Sequence, residues 1–363
     1  MIRYILLSVL FADAFAFSGM ARNHRASSRL FAQQQAVACP LTGGNKPFTP
    51  APGSLEGQTI VITGGTGGLG LESAKRLAVG GASILLTARS VEKAERAVSE
   101  VKKYARENNV MNEKVSFKLL DLDNLQDVRN VLETWKDVDK IDVLLNNAGI
   151  MALPKLELTV DGFERQMQSN HLGHFALTAL LSSKLAPDAR VINVSSSAHQ
   201  FAPKGMLSGD ALWKPDSFNY SGWPVYGQSK LANILFTKEL QRRCEAAGKD
   251  WTVACLHPGV VATDLGRYII GNERYDEMKK GNGNVLATLL SNAFSAFLKT
   301  PEDGATTQIW LAARQDQKSN MNVRGEYLSD YKVQVLADYA TDASAAKQLW
   351  KESEERSQIS FGF

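Results

Sequence analysis

From Gln58 onward, short apolar runs recur along the chain: TIVIT (59–63), SILLTA (83–88), VSFKLL (115–120), IDVLLN (141–146), RVINVS (190–195) and WTVACLH (251–257). Each is followed by a longer stretch with helical periodicity. A strand that is apolar throughout must be covered on both faces, and a strand–helix–strand crossover returns to its sheet with a right-handed turn. The alternation therefore predicts an α/β fold, a doubly wound parallel sheet of Rossmann-like type with helices on either side. No repeat of fixed period and no low-complexity tract breaks residues 58–363. One domain, residues 53–363, is expected after a leader and linker over residues 1–52.

Composition matters most in that leader. The formal net charge is +3, yet the first fifty residues hold Arg3, Arg22, Arg25, Arg29 and Lys46 against Asp13 alone, which leaves the rest at about −1. Such a balance gives no polyanion-binding face, so no nucleic-acid partner is expected. The opening MIRYILLSVLFADAFAF has a basic residue, an apolar run from Tyr4 to Ala12, and small residues at Ala12 and Ala14. The run is far shorter than the ~20 residues that span a bilayer, which favours a signal peptide over an anchor. From Ala14 to Leu55 there is no acidic residue, while Arg22, Arg25, Arg29, Ser18, Ser27 and Ser28 accumulate as in a transit peptide. The combination resembles the bipartite presequences of algae with complex plastids and implies a plastid location; a secretory signal with a spacer is the alternative. CPLTGGNKPFTPAPG (39–53) then reads as a linker. Cys39, Cys244 and Cys255 are too few and too scattered for a disulfide framework or a zinc site, and no metal is expected.

The first strand runs into TGGTGGLG (63–70) and a helix. Glycines at such a turn let the backbone approach a pyrophosphate, which rests on the helix N-terminus. Thr63, Gly64, Gly68, Leu69 and Gly70 are thus candidate dinucleotide-binding residues, although a glycine-rich turn alone is weak evidence. The second strand ends in Arg89 and Ser90 rather than in an acid, which suits a 2′-phosphate and hence NADP(H). Read alone, Arg89 is equally a solvated strand-end charge. Asp121, after the third strand, either accepts from the adenine amino group or caps the helix that begins at Asp123 or Asn124.

Five further motifs follow in order: VLLNNAGIM (143–151), NHLGHF (170–175), NVSSS (193–197), YGQSK (226–230) and HPGVVATDL (257–265). Together with the glycine turn they resemble the short-chain dehydrogenase/reductase superfamily, from about Gln58 to the C-terminal LWKESEE. NHLGHF, YGQSKLANILFTKEL and HPGVVATDL look most like its retinol-dehydrogenase-like branch, including plant chloroplast-envelope members. The resemblance implies a catalytic group of Asn170, Ser196, Tyr226 and Lys230. It further implies that Asn147, Ala148 and Gly149 line the cofactor, that Tyr226 and Lys230 also meet it, and that Pro258, Gly259 and Thr263 lie at its nicotinamide end. Ser196 is preferred to Ser195 and Ser197 as the second serine of the VSS pattern.

The chemistry accounts for these residue types. A carbonyl being reduced develops negative charge on oxygen, so an acid must donate a proton and a second donor must hold the oxygen; Tyr226 and Ser196 fit. A tyrosine near pKa ~10 becomes a better acid beside an ammonium. At ~4 Å and an effective dielectric near 20, the attraction is about 4 kcal/mol, so Lys230 is expected to lower Tyr226. Spacing of four puts the two on one helix face. Asn170 would place a water that returns protons from solvent. In isolation, a Tyr and a Lys four apart are more often an exposed helix surface. His171, His174, His199 and His257 have no serine or carboxylate arrangement around them and read as packing or hydrogen-bonding residues.

Two long segments flank this group. Residues 197–225 carry Phe201, Met206, Trp213, Phe218, Tyr220 and Trp223, and residues 265–299 include the apolar NVLATLLSNAFSAFL. They are expected either to wall an apolar carbonyl or alcohol substrate, retinoid-, carotenoid- or aldehyde-like, or to pack on the fold. The 285–298 stretch also offers a peripheral membrane or homodimer face. The expected function is an NADP-dependent carbonyl–alcohol oxidoreductase; the alternative is an NADPH-sensing regulatory subunit at a plastid envelope.

Overall fold

The computed structural model describes residues 47–202, 205–259, 261, 299–318 and 321–363. Each of the six apolar runs overlaps a strand, β5 starting five residues ahead of its run: β1 (Thr59–Ile62), β2 (Ser83–Ala88), β3 (Val115–Leu119), β4 (Ile141–Asn146), β5 (Leu185–Val194) and β6 (Thr252–Leu256). Two short strands that the alternation did not announce, β7 (Tyr327–Ser329) and β8 (Lys332–Val333), extend the sheet. The order is β3-β2-β1-β4-β5-β6-β7-β8, parallel except for the antiparallel β7–β8 pair. The strand order reverses between β1 and β4, and in open α/β sheets the carboxyl ends of the strands around that point form the binding crevice.

Side-chain parity builds the two faces. Val61, Leu85, Leu144, Val191 and Val253 enter one core with α3 (Gly173–Leu181), α4 (Gly222–Ala246) and α6 (Ala343–Ser357). Their neighbours Ile60, Ile62, Ile84, Leu86, Val143, Leu145, Ile192 and Ala254 enter the other with α1 (Gly68–Val79), α2 (Val91–Glu107) and α5 (Thr306–Ala312). Burial on both sides is why these strands read as unbroken apolar runs.

Buried charges tie the periphery down. On α1, Arg76 donates to the carbonyls of Phe48 (2.8 Å) and Glu302 (2.6 Å) and pairs with Glu72 (3.1 Å). Phe48 itself packs against the second core, and the carboxylate of Glu72 is held above its usual pKa by burial. On β5, Arg190 grips Asp316 with two bonds of 2.7 and 3.1 Å. Removing one member of such a pair would leave an uncompensated buried charge. Cys244 and Cys255 are buried thiols. No helix among the described residues is long and apolar enough to cross a membrane.

Candidate active site

The glycine turn after β1 is compressed as the sequence suggested. Gly64 and Gly68 have positive φ of 64° and 51°, the left-handed region where a side chain is strained. A Cβ on Gly70 would lie 2.5 Å from the Gly64 carbonyl oxygen and 2.6 Å from Asn147 Nδ2, so the turn closes only around glycine. Thr63 is fully buried beneath it, and its hydroxyl accepts from the N–H groups of Asn147 and Ala148 at 2.9 Å each. Asn147 Nδ2 returns a bond to the Thr63 carbonyl at 2.8 Å. The ends of β1 and β4 are thereby clasped side by side.

Above this clasp lies a cavity of about 570 Å³. It is lined by Gly64, Gly68 and Leu69 below, Arg89 and Asp121 at one end, and Asn147, Ala148 and Gly149 along one wall. Lys93, which the sequence reading did not single out, also faces it from the first turn of α2. Glycine floor, helix N-terminus and cationic end suit a dinucleotide. Arg89 reaches Asp121 at 3.9 Å and Asp123 at 3.4 Å. Asp121 accepts from Asp123 N–H at 3.1 Å, whereas the following short helix, Leu125–Arg129, is capped by Asn124. Pro258 and Gly259 follow β6, where Gly259 has φ 85°. Thr263 and the 265–298 stretch lie outside the described residues.

Asn170, Ser196, Tyr226 and Lys230 meet at the carboxyl edge of the sheet. Asn170 sits in a π-helical turn, Gln168–Leu172, that leads into α3. Such wide turns recur where a functional site needs a backbone group displaced. Its amide is fully engaged: Oδ1 accepts from Ile150 N–H (2.8 Å), and Nδ2 donates to the Ile150 carbonyl (2.9 Å) and Ser229 Oγ (2.9 Å). Ser229 in turn donates to the Tyr226 carbonyl at 2.8 Å. Ser196 ends β5's extension as the cap of the 3₁₀ turn Ser197–Phe201, and its hydroxyl acts on the Tyr226 phenol, lowering it. Ser195 is excluded from that role because its buried hydroxyl is spent on the Lys230 carbonyl at 2.7 Å. Gly227 lets α4 approach the turn: a Cβ there would lie 2.7 Å from the Ala198 carbonyl oxygen.

The expected tuning of Tyr226 by Lys230 is not the dominant effect. Lys230 Nζ lies 5.7 Å from the Tyr226 ring centroid and donates to the Val194 carbonyl at 3.1 Å. Desolvation dominates: burial pushes the Tyr226 phenol up to about 12 against the lowering effect of Ser196, and pushes Lys230 down to about 8. Tyr226 is therefore a phenol at neutral pH, the form that can donate a proton.

The aromatic segment divides. Phe201 and Trp223 pack with Met151, Ala152 and Ala198 around Tyr226, with Trp223 edge-on to the phenol ring at 6.2 Å. For Trp213 the second of the two alternatives holds, packing on the fold: it is fully buried, and its indole donates to Glu352 of α6 at 2.6 Å. The same carboxylate oxygen accepts from Gly209 N–H at 2.9 Å, so the last helix grips the segment between the serine and the tyrosine. Phe218 is 92% exposed. Sequence reasoning passed over Gln308, whose amide donates to Ser73 Oγ at 2.7 Å and approaches Asn147 Oδ1 at 3.3 Å. Nothing in the local pattern around Gln308 distinguishes it from any helical glutamine.

With this geometry in place, comparison with known proteins is informative. The family model described as short chain dehydrogenase matches residues 58–208. Retinol dehydrogenase 13 of Homo sapiens is 36% identical over 318 residues, covering 86% of this chain and 87% of that protein. A chloroplastic short-chain dehydrogenase of Brassica napus, TIC 32 B, is 32% identical over 300 residues, covering 80% of this chain and 86% of that one. A crystal structure of a protein from Mycobacterium Paratuberculosis superposes with a TM-score of 0.64 at 32% identity, covering 88% of this chain and 100% of that chain.

Proposed function

The chain belongs to the short-chain dehydrogenase family as an oxidoreductase acting on CH–OH and C=O groups, and from this premise we propose that it uses NADP(H) on an apolar substrate with Tyr226 as general acid and base. The observation that carries the reading is the meeting of Tyr226, Ser196, Lys230 and Asn170 beside a glycine-floored cavity with Arg89 at its end. Thr63, Gly64, Gly68, Leu69, Gly70, Asn147, Ala148 and Gly149 would hold the dinucleotide, and Arg89 with Lys93 would take its 2′-phosphate. When bound, the nicotinamide supplies or accepts the two electrons of the reaction. Tyr226 gives its proton to the oxygen of the carbonyl as charge develops there, while Ser196 donates a hydrogen bond to the same oxygen. Lys230, which burial lowers to about 8, is still largely an ammonium at neutral pH and would stabilise the phenolate that Tyr226 becomes until a proton from solvent restores the phenol. Asn170 anchors the Ile150 backbone beside them. Phe201, Trp223 and Met151 give the oxygen-bearing end of the substrate an apolar enclosure.

The test is NADPH oxidation by protein lacking the leader, against apolar aldehydes and ketones including retinal. Turnover is expected, and Tyr226→Phe should lower kcat by at least about a hundredfold, the scale of a lost general acid. Tight NADPH binding with no turnover on any substrate would sink the enzymatic reading in favour of a cofactor-sensing role.

We also infer that residues 1–52 contain a cleavable leader that delivers the folded domain to a plastid. The acid-free basic composition and the chloroplastic relative support this. Because Phe48 is packed on the fold, cleavage is expected upstream of it. Residues 1–52 fused to a fluorescent protein should enter the plastid of an alga with complex plastids, and export to the medium would reject the inference.

A further inference from the structure

We propose that His174 is a positioning residue that couples the cofactor turn to Asn170 through a one-directional chain of hydrogen bonds. His174 lies in the first turn of α3, four residues after Asn170, and is 2% exposed. Its Nε2 is 2.8 Å from Thr63 Oγ1, and its Nδ1 is 3.0 Å from the Asn170 carbonyl oxygen.

Counting donors and lone pairs decides which way these bonds run. A hydroxyl has one proton and two lone pairs. Thr63 Oγ1 already accepts from Ala148 N–H and from Asn147 N–H, each at 2.9 Å. Its own proton must therefore be donated. One acceptor is the Leu145 carbonyl, 3.4 Å away and already taking the N–H groups of Thr63 and Asn147 at 3.0 Å. The other is His174 Nε2, closer by more than half an ångström. The other ring nitrogen fixes the direction: the Asn170 carbonyl oxygen can only accept, so Nδ1 must carry a proton, and a neutral ring has no second one for Nε2. Nε2 is thus the acceptor, the ring is neutral, and its single proton sits on Nδ1, where it is donated to Asn170. The buried setting and the nearby Lys230 charge both oppose a second proton on the ring.

The chain closes a ring. Residues 147 and 148 hang from Thr63, Thr63 from His174, and His174 from the Asn170 backbone. The Asn170 side chain then returns to Ile150, two residues beyond Ala148, at 2.8 and 2.9 Å. The cofactor-lining loop 147–150 is consequently held at both ends, and His174 is the link between the two holds. From Asn170 the path continues through Ser229 to the carbonyl of Tyr226. His174 touches neither the cofactor cavity nor the reacting atoms; it sets the position of groups that do.

This inference rests on the enzymatic reading above, and its test separates the two. The ring nitrogens of His174 can be observed by ¹⁵N-resolved NMR of the whole protein, which needs no turnover. A neutral Nδ1–H tautomer is expected through the neutral range; an Nε2–H tautomer overturns the proposal even if the enzyme is active. His174→Phe keeps the ring volume but neither hydrogen bond. It should lower kcat at least tenfold, leave KM for NADPH within about threefold, and shift the pH profile of kcat. His174→Gln carries both an acceptor and a donor and should recover most of that loss. A kcat for His174→Phe within twofold of wild type, a uniform loss with an unmoved pH profile, or equal defects in the Phe and Gln variants would each reject the role. Absence of turnover in wild type would reject the enzymatic reading instead, and the tautomer would still decide the bonding chain.

Discussion

On the reading proposed above, Arg89 would set cofactor choice without being committed in advance to one partner. Its guanidinium is more than half exposed and leans on Asp121 and Asp123, yet Asp123 already has a stronger partner in Arg165 Nε at 2.8 Å. Arg89 can therefore leave for a phosphate without stranding a carboxylate. A charge-assisted bond is worth about 1.5–3 kcal/mol, so Arg89→Ala should raise KM for NADPH about 10- to 100-fold and change KM for NADH little. Equal effects on both cofactors would refute the assignment. At this scale legibility was uneven. Arg89 announced itself by standing where an acid was otherwise expected, and Ser196 could be chosen by pattern, although the physical reason for rejecting Ser195 lies in its contact with the Lys230 carbonyl. The side chain of His174 could be read only as packing or hydrogen-bonding, because its partner Thr63 is distant in sequence by 111 positions.

Between elements, contact distance rather than residue chemistry sets the site. α4 carries Tyr226 and the 3₁₀ turn carries Ser196, and they approach because Gly227 has no side chain: its Cβ would stand 2.7 Å from the Ala198 carbonyl oxygen and 3.0 Å from Phe201 Cβ. Gly227→Ala must therefore push helix and turn apart. Overpacking of this kind costs about 1–3 kcal/mol, and a domain of this size loses about 2–4 °C in Tm for each. A lowered Tm with kcat down at least tenfold is expected from calorimetry and steady-state kinetics; unchanged kcat would show that the approach is not needed. The six long strands were legible because burial on both faces writes them as apolar runs. β7 and β8, with three and two residues, are too short to carry a period, and the π-helical turn at Asn170 is a backbone departure that no spacing of side chains reveals. Trp213 could not be sorted between substrate wall and packing for a related reason: aromatic residues in a long connection look alike until α6 supplies the carboxylate that claims one of them.

Across the whole molecule, the buried imidazoles tie folding to pH. Burial holds His171 down to about 3 and His174 down to about 4, against about 6.5 in an unfolded chain. A depressed pKa gives stability that is present above the unfolded value and is lost as pH falls toward the folded one. Each residue should thus contribute a slope of up to about 1.4 kcal/mol per pH unit between roughly pH 6 and 4. Glu164 acts in the opposite sense. It is fully buried and raised by desolvation, so its contribution is present at low pH and lost as pH rises through its folded value. Urea unfolding from pH 7 to 5 should show stability falling, with a shallower fall in His171→Phe; parallel curves for the two proteins would exclude His171 as a source. The grip of Glu352 on Gly209 and Trp213 has a consequence in time as well as in space. A ribosome makes this chain from its N-terminus, so the cofactor turn, the serine and the tyrosine all emerge before residue 352 exists. Until then the segment joining serine to tyrosine lacks this anchor, which a helix made well after the tyrosine supplies.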